Sequence, residues 1–340
     1  MGQSVWDAIL PAVAMKLIRD LQEGESVTSY SRIRTKQVRS KRNGEPYLRI
    51  VFSDSTGRIE GKMWDNIQQC QQGIHEGDVV QYCGQIQVYN GAKQIIIQQI
   101  DLAASGDPSA DFDVKDLIPS TEGDIEEMWA KLRSLVEEHT SRSCVLELLN
   151  NILDKQEKAI KSYPAGIEIH HCYWGGFLEH VLSVLEGVLL HAGRYPNLDG
   201  DLLVAGAVLH DIGKLQELGD PYNPVYTSPG QLIGHIVLGC EMVRREVSEI
   251  PDFPDDLLLL LEHMIISHQG QLEWGSPRQP LIAEALLLHY IDDLDSKMNR
   301  FALVLKEDQR DGDFTQYDRY LGRVIYKGAV EPPSVASSSG

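Results

Sequence analysis

Histidine and aspartate side chains recur inside otherwise apolar stretches in the second half of the chain. His210 and Asp211 stand side by side in LLVAGAVLHDIGKLQEL, residues 202–218. On an α-helix, neighbouring side chains point about 100° apart. Both can face one partner only where the helix ends, and Gly213 can end it by taking a left-handed conformation. The pair therefore predicts either a buried His–Asp ion pair or a metal site.

Four further residues of the same types lie in separate apolar helical stretches: His180, His235, His268 and Asp292. A lone histidine in such a helix is usually a core residue with one hydrogen-bond partner, but an ordered series of six weakens that interpretation. Imidazole and carboxylate ligands on separate helices suit Mn, Fe, Co, Ni or Zn. A carboxylate can bridge two ions, and two ions about 3.5–4 Å apart can clamp a phosphoryl group and generate a hydroxide nucleophile. Lys214 would then neutralise phosphate as a point charge.

Helices must position these residues, and the pattern from residue 125 to about residue 327 is helical. One predicted helix covers residues 231–247. Upstream, residues 26–102 alternate branched or aromatic residues with polar ones between Gly, Asn and Asp turns, including Asn90–Gly91. About five strands, with a short helical stretch near residues 66–72, predict a small barrel of the OB type. The fold class is thus multidomain, an all-β OB-fold barrel followed by an all-α domain.

The chain divides into five predicted parts. These are an N-terminal arm or helix (1–24), the barrel (25–102), a linker rich in Asp, Ser, Pro and Gly (103–124), the helical domain (125–328) and a disordered tail (329–340).

The barrel is locally basic although the whole chain carries a net charge of −19. Residues 25–102 contain ten Lys+Arg against eight Asp+Glu, and residues 32–49 hold seven Lys+Arg and one Glu. A basic groove with aromatic platforms binds single strands without reading their sequence. The alternative is a solvated loop with ordinary core aromatics. The predicted nucleic-acid contacts are Arg32, Arg34, Tyr47 and Arg49.

Composition argues against a membrane protein and a disulfide framework. The longest apolar stretches are far too short to cross a bilayer, and the N-terminus lacks the features of a signal peptide. The five cysteines are scattered without a CxxC pair, which fits a reduced protein of the cytoplasm. No membrane partner is expected.

Five motifs together resemble the HD superfamily of metal-dependent phosphohydrolases. They are HHCYWGGFLEH, LLVAGAVLHDIGKLQEL, YTSPGQLIGHIVLG, HMIISHQGQLEWGSP and EALLLHYIDDLDSKM. With the upstream barrel, the chain is similar to bacterial YhaM-type 3′→5′ exoribonucleases, which join an OB fold to an HD domain. The resemblance covers roughly residues 25–327.

The resemblance implies a role for each matching residue. The metal ligands would be His180, His210, Asp211, His235, His268 and Asp292. Asp211 would bridge two ions and, with His210 and Lys214, form the catalytic group. His170 and His171 would line the substrate site, although a purely structural role as loop residues is equally compatible. The chain departs from the resemblance at Gln269, because it has SHQG where the family commonly has SHHG. Gln269 can hydrogen-bond a phosphate or a water but is a poor transition-metal ligand.

The leading prediction is a metal-dependent 3′→5′ exoribonuclease that converts single-stranded RNA into nucleoside 5′-monophosphates. Direction, product and the preference for Mn²⁺ rest on the resemblance, and one or two ions of Mn, Fe, Co, Ni, Zn or Mg stay open. DNA is the alternative strand. The alternative functions are an HD phosphodiesterase or phosphatase acting on a small nucleotide, and a single-stranded nucleic-acid-binding adaptor with a non-catalytic metal site. Amphipathic helix faces also allow a homo-oligomer.

Overall fold

The computed structural model describes residues 15–41, 43–65, 67, 73–89, 91–103, 114–167, 170–195, 197–222, 224–308 and 310–328. The predicted tail lies outside the described residues, as do most of the predicted arm and residues 104–113 of the predicted linker. Asn90 of the predicted turn also lies outside them, together with most of the short helical stretch predicted near residues 66–72.

Five strands form a closed barrel in the order β1-β2-β3-β5-β4. They span Ser26–Ser40 (β1), Pro46–Asp54 (β2), Gly57–Met63 (β3), Val79–Tyr89 (β4) and Ala92–Leu102 (β5). Neighbouring strands are antiparallel except β3 and β5, which are parallel. Because side chains alternate between the two faces of a strand, the apolar ones fill the interior, where the Phe52 and Tyr82 rings stack. The predicted OB-type barrel is confirmed.

The second domain is built from α-helices. Within the described residues these span Ile125–His139 (α1), Ser143–Ser162 (α2), Gly176–Ala192 (α3), Gly200–Leu209 (α4), Lys214–Glu217 (α5), Ser228–Leu232 (α6), His235–Val247 (α7), Asp255–Ser267 (α8) and Ala283–Glu307 (α9). Helix α4 is buried on every side from Asp201 to Leu209, as expected for a helix that is apolar all round. It forms the centre of the helical core and ends beside His210.

Two helical predictions need correction. The helix predicted over residues 231–247 is interrupted at Gly234, whose φ of 80° and ψ of 158° suit only glycine. His235 therefore begins α7 and does not lie inside a longer helix. The helical pattern predicted to residue 327 also ends early, because α9 stops at Glu307 and residues 310–328 form an irregular loop. We call these residues the C-terminal loop.

The two domains touch through a small second core. Tyr30 of the barrel packs with Leu117 and Ile118 of the connecting segment, and Trp174 of the helical domain lies against them. A polar contact adds to it, since Arg34 Nη2 donates to the Ile167 carbonyl at 3.0 Å. The barrel is thus in direct contact with the loop that precedes α3. Among the described helices, none is both long and apolar enough to cross a membrane.

Candidate active site

The six predicted ligands come from five separate places in the chain, and the fold brings them together. His180 lies in α3 and Asp292 in α9. His210 and Asp211 lie in the turn after α4, His235 is the first residue of α7, and His268 caps the C-terminus of α8.

Gly213 permits this assembly for a reason other than the one predicted. It has a right-handed conformation, with φ −64° and ψ −20°, so the expected left-handed helix end is wrong. A Cβ atom at this position would lie 1.9 Å from the His235 carbonyl oxygen and 2.5 Å from the Gly239 nitrogen. Glycine is needed because the turn carrying His210 and Asp211 presses directly against the start of α7.

One group of side chains surrounds the Nε2 atom of His180. This atom lies 3.2 Å from His210 Nε2 and 3.3 Å from Asp292 Oδ1. Asp211 Oδ2 is 3.5 Å from both histidine nitrogens. Three of these residues, His180, His210 and Asp292, form a group able to hold a metal ion.

The other carboxylate oxygen of Asp211 faces a second group. Asp211 Oδ1 lies 3.5 Å from His235 Nε2 and 3.5 Å from His268 Nε2, and these three residues form another group able to hold a metal ion. The two oxygens of one carboxylate thus point into two adjacent ligand groups. This is the arrangement in which a carboxylate can bridge two ions.

Each of the four histidines is oriented through its other ring nitrogen. The Nδ1 contacts are Asp295 Oδ2 for His180 (2.7 Å), the Ala207 carbonyl for His210 (2.9 Å), Glu217 Oε1 for His235 (3.2 Å) and the Ile265 carbonyl for His268 (2.7 Å). Because each acceptor favours the tautomer that donates from Nδ1–H, the Nε2 lone pairs are left to face the centre.

The residues present fit a divalent metal. Asp211 Oδ1 and His235 Nε2 are buried and have no hydrogen-bond partner among the described residues. Leaving such groups unsatisfied is costly, and a shared cation removes that cost. The simple His210–Asp211 ion pair fits less well, since the two groups are 3.5 Å apart while Lys214 Nζ lies 2.6 Å from Asp211 Oδ2.

Charges at the centre oppose the effect of burial. Burial alone would raise the pKa of Asp211, but Lys214 and His210 hold that pKa well below its usual value. Burial would lower the pKa of Lys214, but Asp211 raises it. Both groups are therefore charged at neutral pH. By contrast, burial and the nearby charge of Lys214 lower the pKa of His170 to about 3, so its ring is neutral.

These groups lie in a cavity of about 920 Å³. Its walls include His170, Lys214 and Gln269, three of the predicted substrate contacts. The Gln269 Nε2 atom lies 3.1 Å from His268 Nε2, so its amide is beside the second ligand group without replacing a ligand.

His171 is in a different position from the one the resemblance implies. Of the described residues it is not among those lining the cavity, and it is almost completely buried. Its Nε2 atom lies 2.9 Å from Asp295 Oδ2, and its backbone N–H donates to Asn299 Oδ1 at 2.8 Å. His171 and His180 thus both contact the Asp295 carboxylate, and His171 helps to position it.

Three residues that contribute to the site were not predicted as site residues from the sequence: Glu217, His289 and Asp295. Glu217 accepts hydrogen bonds from the His235 backbone N–H at 3.0 Å and from its ring, and the only signal was an acidic residue in an apolar run. His289 lines the cavity, and its Nδ1 donates to the His268 carbonyl. Asp295, which contacts His180 Nδ1, lies three residues after Asp292 on the same face of α9.

On the barrel, aromatic and basic side chains share the outer face of β2 and β3. The rings of Tyr47 and Trp64 stack with centroids 4.7 Å apart, and Lys41 Nζ lies 5.7 Å from the Trp64 centroid. Arg49 follows on β2 and pairs with Glu60 on β3 at 2.5 Å. Trp64 is surface-exposed, whereas Phe52 belongs to the core. We call Tyr47, Arg49 and Trp64 the β2–β3 face.

Arg32 and Arg34 lie elsewhere, on the side of β1 near the helical domain. Arg32 Nε donates to the Gly77 carbonyl at 3.3 Å, and burial lowers its pKa to about 10. Arg34 contacts Ile167, which lines the cavity. The four predicted barrel contacts are therefore divided between the β2–β3 face and the domain junction.

Comparisons with known proteins agree with this architecture. The family model for the HD domain matches residues 177–297, and the model described as OB-fold nucleic acid binding domain matches residues 31–103. The helical part thus contains an HD domain, and the barrel is an OB-fold domain.

Solved structures match this chain at low sequence identity and with low TM-scores. The second OB-fold domain of replication protein A from Methanococcus maripaludis is 19% identical, with 27% of this chain and 96% of that chain covered and a TM-score of 0.23. Schizosaccharomyces pombe Pot1pC bound to single-stranded DNA is 14% identical, with 28% and 91% covered and a TM-score of 0.25. Asparaginyl-tRNA synthetase from Pyrococcus horikoshii is 9% identical, with 73% and 63% covered and a TM-score of 0.24.

Proposed function

We propose that this protein is a metal-dependent 3′→5′ exoribonuclease that hydrolyses single-stranded RNA to nucleoside 5′-monophosphates. The main support is the position of Asp211. Its two carboxylate oxygens face two ligand groups inside a cavity that adjoins an OB barrel. The polarity of degradation and the product rest on the resemblance to YhaM-type enzymes.

The first ion would be held by His180, His210, Asp211 and Asp292, and the second by Asp211, His235 and His268. When bound, such a metal pair activates water and neutralises the charge that develops on the phosphoryl group. Mn²⁺ is the proposed metal. Fe, Co, Ni, Zn and Mg are compared with it by measuring RNA cleavage after each is added to metal-free protein.

Several side chains of the cavity would act on the substrate directly. The Lys214 ammonium group is buried, charged and part of the cavity wall, so it can bind a phosphoryl oxygen as a point charge. The neutral His170 ring can hydrogen-bond the substrate without adding positive charge. The Gln269 amide offers both a donor and an acceptor beside His268.

The barrel would hold the strand outside the cavity. The β2–β3 face offers aromatic stacking surfaces, with the Lys41 ammonium group beside Trp64, and such surfaces bind single strands with little sequence preference. Arg34 connects the barrel to Ile167 at the cavity wall, so the barrel directly adjoins the cavity that would receive the end of the strand.

A second candidate function has one observation in its favour. The cavity volume of about 920 Å³ falls in the range of small-molecule sites. A phosphodiesterase or phosphatase acting on a small nucleotide would fit this volume, with the barrel in a regulatory role. A homo-oligomer and a cytoplasmic location stay predictions of the sequence.

The test uses full-length protein, Mn²⁺ and single-stranded RNA labelled at its 5′ end. We expect a ladder that shortens from the 3′ end, and we expect RNA labelled at its 3′ end to release labelled mononucleotide from the start. Asp211→Ala should abolish both, whereas the matched exposed variant Asp256→Ala should retain them. DNA of the same sequence and circular RNA serve as comparison substrates. Turnover of small nucleotides without RNA cleavage would favour the second candidate.

A further inference from the structure

The C-terminal loop reaches the catalytic cavity although it lies beyond the residues matched by the HD family model. Arg319 and Tyr320 line the same cavity as Asp211, Lys214 and Asp292. The loop follows α9, the helix that supplies Asp292, and turns back towards it. Part of the cavity wall is therefore formed by residues that lie outside the matched HD domain.

The loop is held firmly in place. The buried Asp318 accepts from Arg300 of α9 at 2.5 Å and exchanges backbone hydrogen bonds with Arg323 at 2.9 and 3.2 Å. Lys327 Nζ pairs with Asp308 at 3.0 Å and closes the base of the loop. Since Asp318 immediately precedes Arg319 and Tyr320, these contacts fix the backbone that presents both side chains to the cavity.

The two side chains are available to a ligand. Arg319 has no hydrogen bond or ion pair with any of the described residues, although it lines a cavity rich in carboxylates. Tyr320 is 43% exposed, and partial burial together with the charges of Asp293 and Asp292 raises its pKa. The phenol is thus neutral and lies near the carboxylates of α9. Its ring offers an aromatic surface at the cavity.

We propose that Arg319 and Tyr320 form a nucleotide subsite, in which Tyr320 stacks on the base of the terminal nucleotide and Arg319 binds its phosphate. This inference rests on the proposed function and names the part of the substrate that the loop recognises. Stacking on an aromatic ring accepts every base, as an enzyme that shortens RNA requires. Arginine is suited to phosphate because its planar fork donates two parallel hydrogen bonds.

A matched pair of substrates isolates the subsite. Uridine 5′-(4-nitrophenyl phosphate) and methyl 4-nitrophenyl phosphate have the same leaving group, which replaces the RNA 3′-oxygen, and differ only in the nucleoside. Tyr320→Leu should lower kcat/KM for the uridine ester by about 5- to 150-fold, the range of one lost base stack. The effect should be mainly on KM. The methyl ester should change less than twofold.

Matched variants separate recognition from structure. Tyr320→Phe should retain the wild-type preference for the uridine ester, because the ring does the stacking. Tyr317→Leu removes an exposed tyrosine of the same loop from outside the cavity and should have no effect. Arg319→Gln should weaken both esters, whereas Arg194→Gln, an equal loss of charge at an exposed arginine outside the cavity, should weaken neither.

Binding provides a readout that does not depend on hydrolysis. Calorimetric titration of the Mn²⁺-loaded protein with uridine 5′-monophosphate and with ribose 5-phosphate should show Tyr320→Leu weakening only the nucleotide. Equal losses for both ligands, or no loss for either, would overturn the subsite. If the wild type hydrolyses neither ester nor RNA, the proposed function fails, and this titration still decides the role of the loop.

Discussion

Glu217 should control the affinity of one metal position without touching the metal. Its carboxylate accepts from the backbone N–H of His235 at 3.0 Å and lies 3.2 Å from the ring Nδ1. Burial would raise the pKa of Glu217, but its contacts with His235 hold that pKa below its usual value, so the group is ionised. Removing a carboxylate that orients a metal-binding histidine typically weakens metal binding by about 10- to 100-fold.

The structure divides this effect between two substitutions. Glu217→Gln keeps an acceptor oxygen but loses the charge, so we expect about a tenfold loss. Glu217→Ala removes both contacts and should approach the hundredfold limit, which corresponds to about 2.7 kcal/mol. Asp295→Asn is the matched change at the other position, because Asp295 Oδ2 lies 2.7 Å from His180 Nδ1.

Equilibrium dialysis against a series of free Mn²⁺ concentrations, with metal content measured by mass spectrometry, gives the two affinities. Anomalous scattering from Mn²⁺-equilibrated crystals then identifies the position that loses occupancy. We expect Glu217→Gln to weaken the ion between Asp211, His235 and His268, and Asp295→Asn to weaken the other. Equal losses at both positions, or unchanged affinities, would refute this account of how the histidines are oriented.

Three further predictions concern packing, strand binding and acid stability. Gly213→Ala should lower the free energy of unfolding by about 1–3 kcal/mol, because its Cβ would clash with the His235 carbonyl. The matched control Gly193→Ala places its Cβ in open space and should be nearly neutral. Thermal or urea denaturation measures both. Trp64→Leu should weaken binding of 20-nucleotide RNA by about tenfold in fluorescence anisotropy while leaving methyl 4-nitrophenyl phosphate hydrolysis unchanged, and equal losses would argue against a strand-binding barrel face. Arg300→Gln should destabilise the protein more at pH 7 than at pH 3. Burial would raise the pKa of Asp318, but Arg300 holds that pKa below its usual value. The stability that this pair contributes is therefore present above the pKa of Asp318 in the unfolded chain and is lost as the pH falls through its pKa in the folded protein. An equal loss of stability at both pH values in urea denaturation would contradict this prediction.

The domain architecture and the ligand types could be predicted because they leave strong local signals. Alternating strands identify a barrel, and histidines inside apolar helices are rare enough to be informative as a series. Asp211 was singled out because it stands next to His210, and the series of six histidines and aspartates made it a predicted ligand. Its place between two ligand groups was expected only from the resemblance, since it depends on the packing of α7 against the turn at Gly213 and leaves no local pattern.

Contacts that join distant parts of the chain left no signal. Glu217 orients His235 from 18 residues away, and nothing in the local pattern predicts which acidic residue does so. The C-terminal loop has no helical or strand period, and its shape depends on the ion pair between Arg300 and Asp318. Helix propensity extended the prediction to residue 327, and these tertiary contacts overrode it.

The most direct test of the central claim is the chemical identity of the product. Single-stranded RNA with a 3′-hydroxyl end is incubated with the Mn²⁺-loaded protein in water enriched in ¹⁸O, and the products are analysed by mass spectrometry. Hydrolysis by an activated water predicts nucleoside 5′-monophosphates that carry one ¹⁸O atom in the phosphate, and none with Asp211→Ala. Products ending in 2′,3′-cyclic phosphate or 3′-phosphate, or intact RNA, would contradict the account.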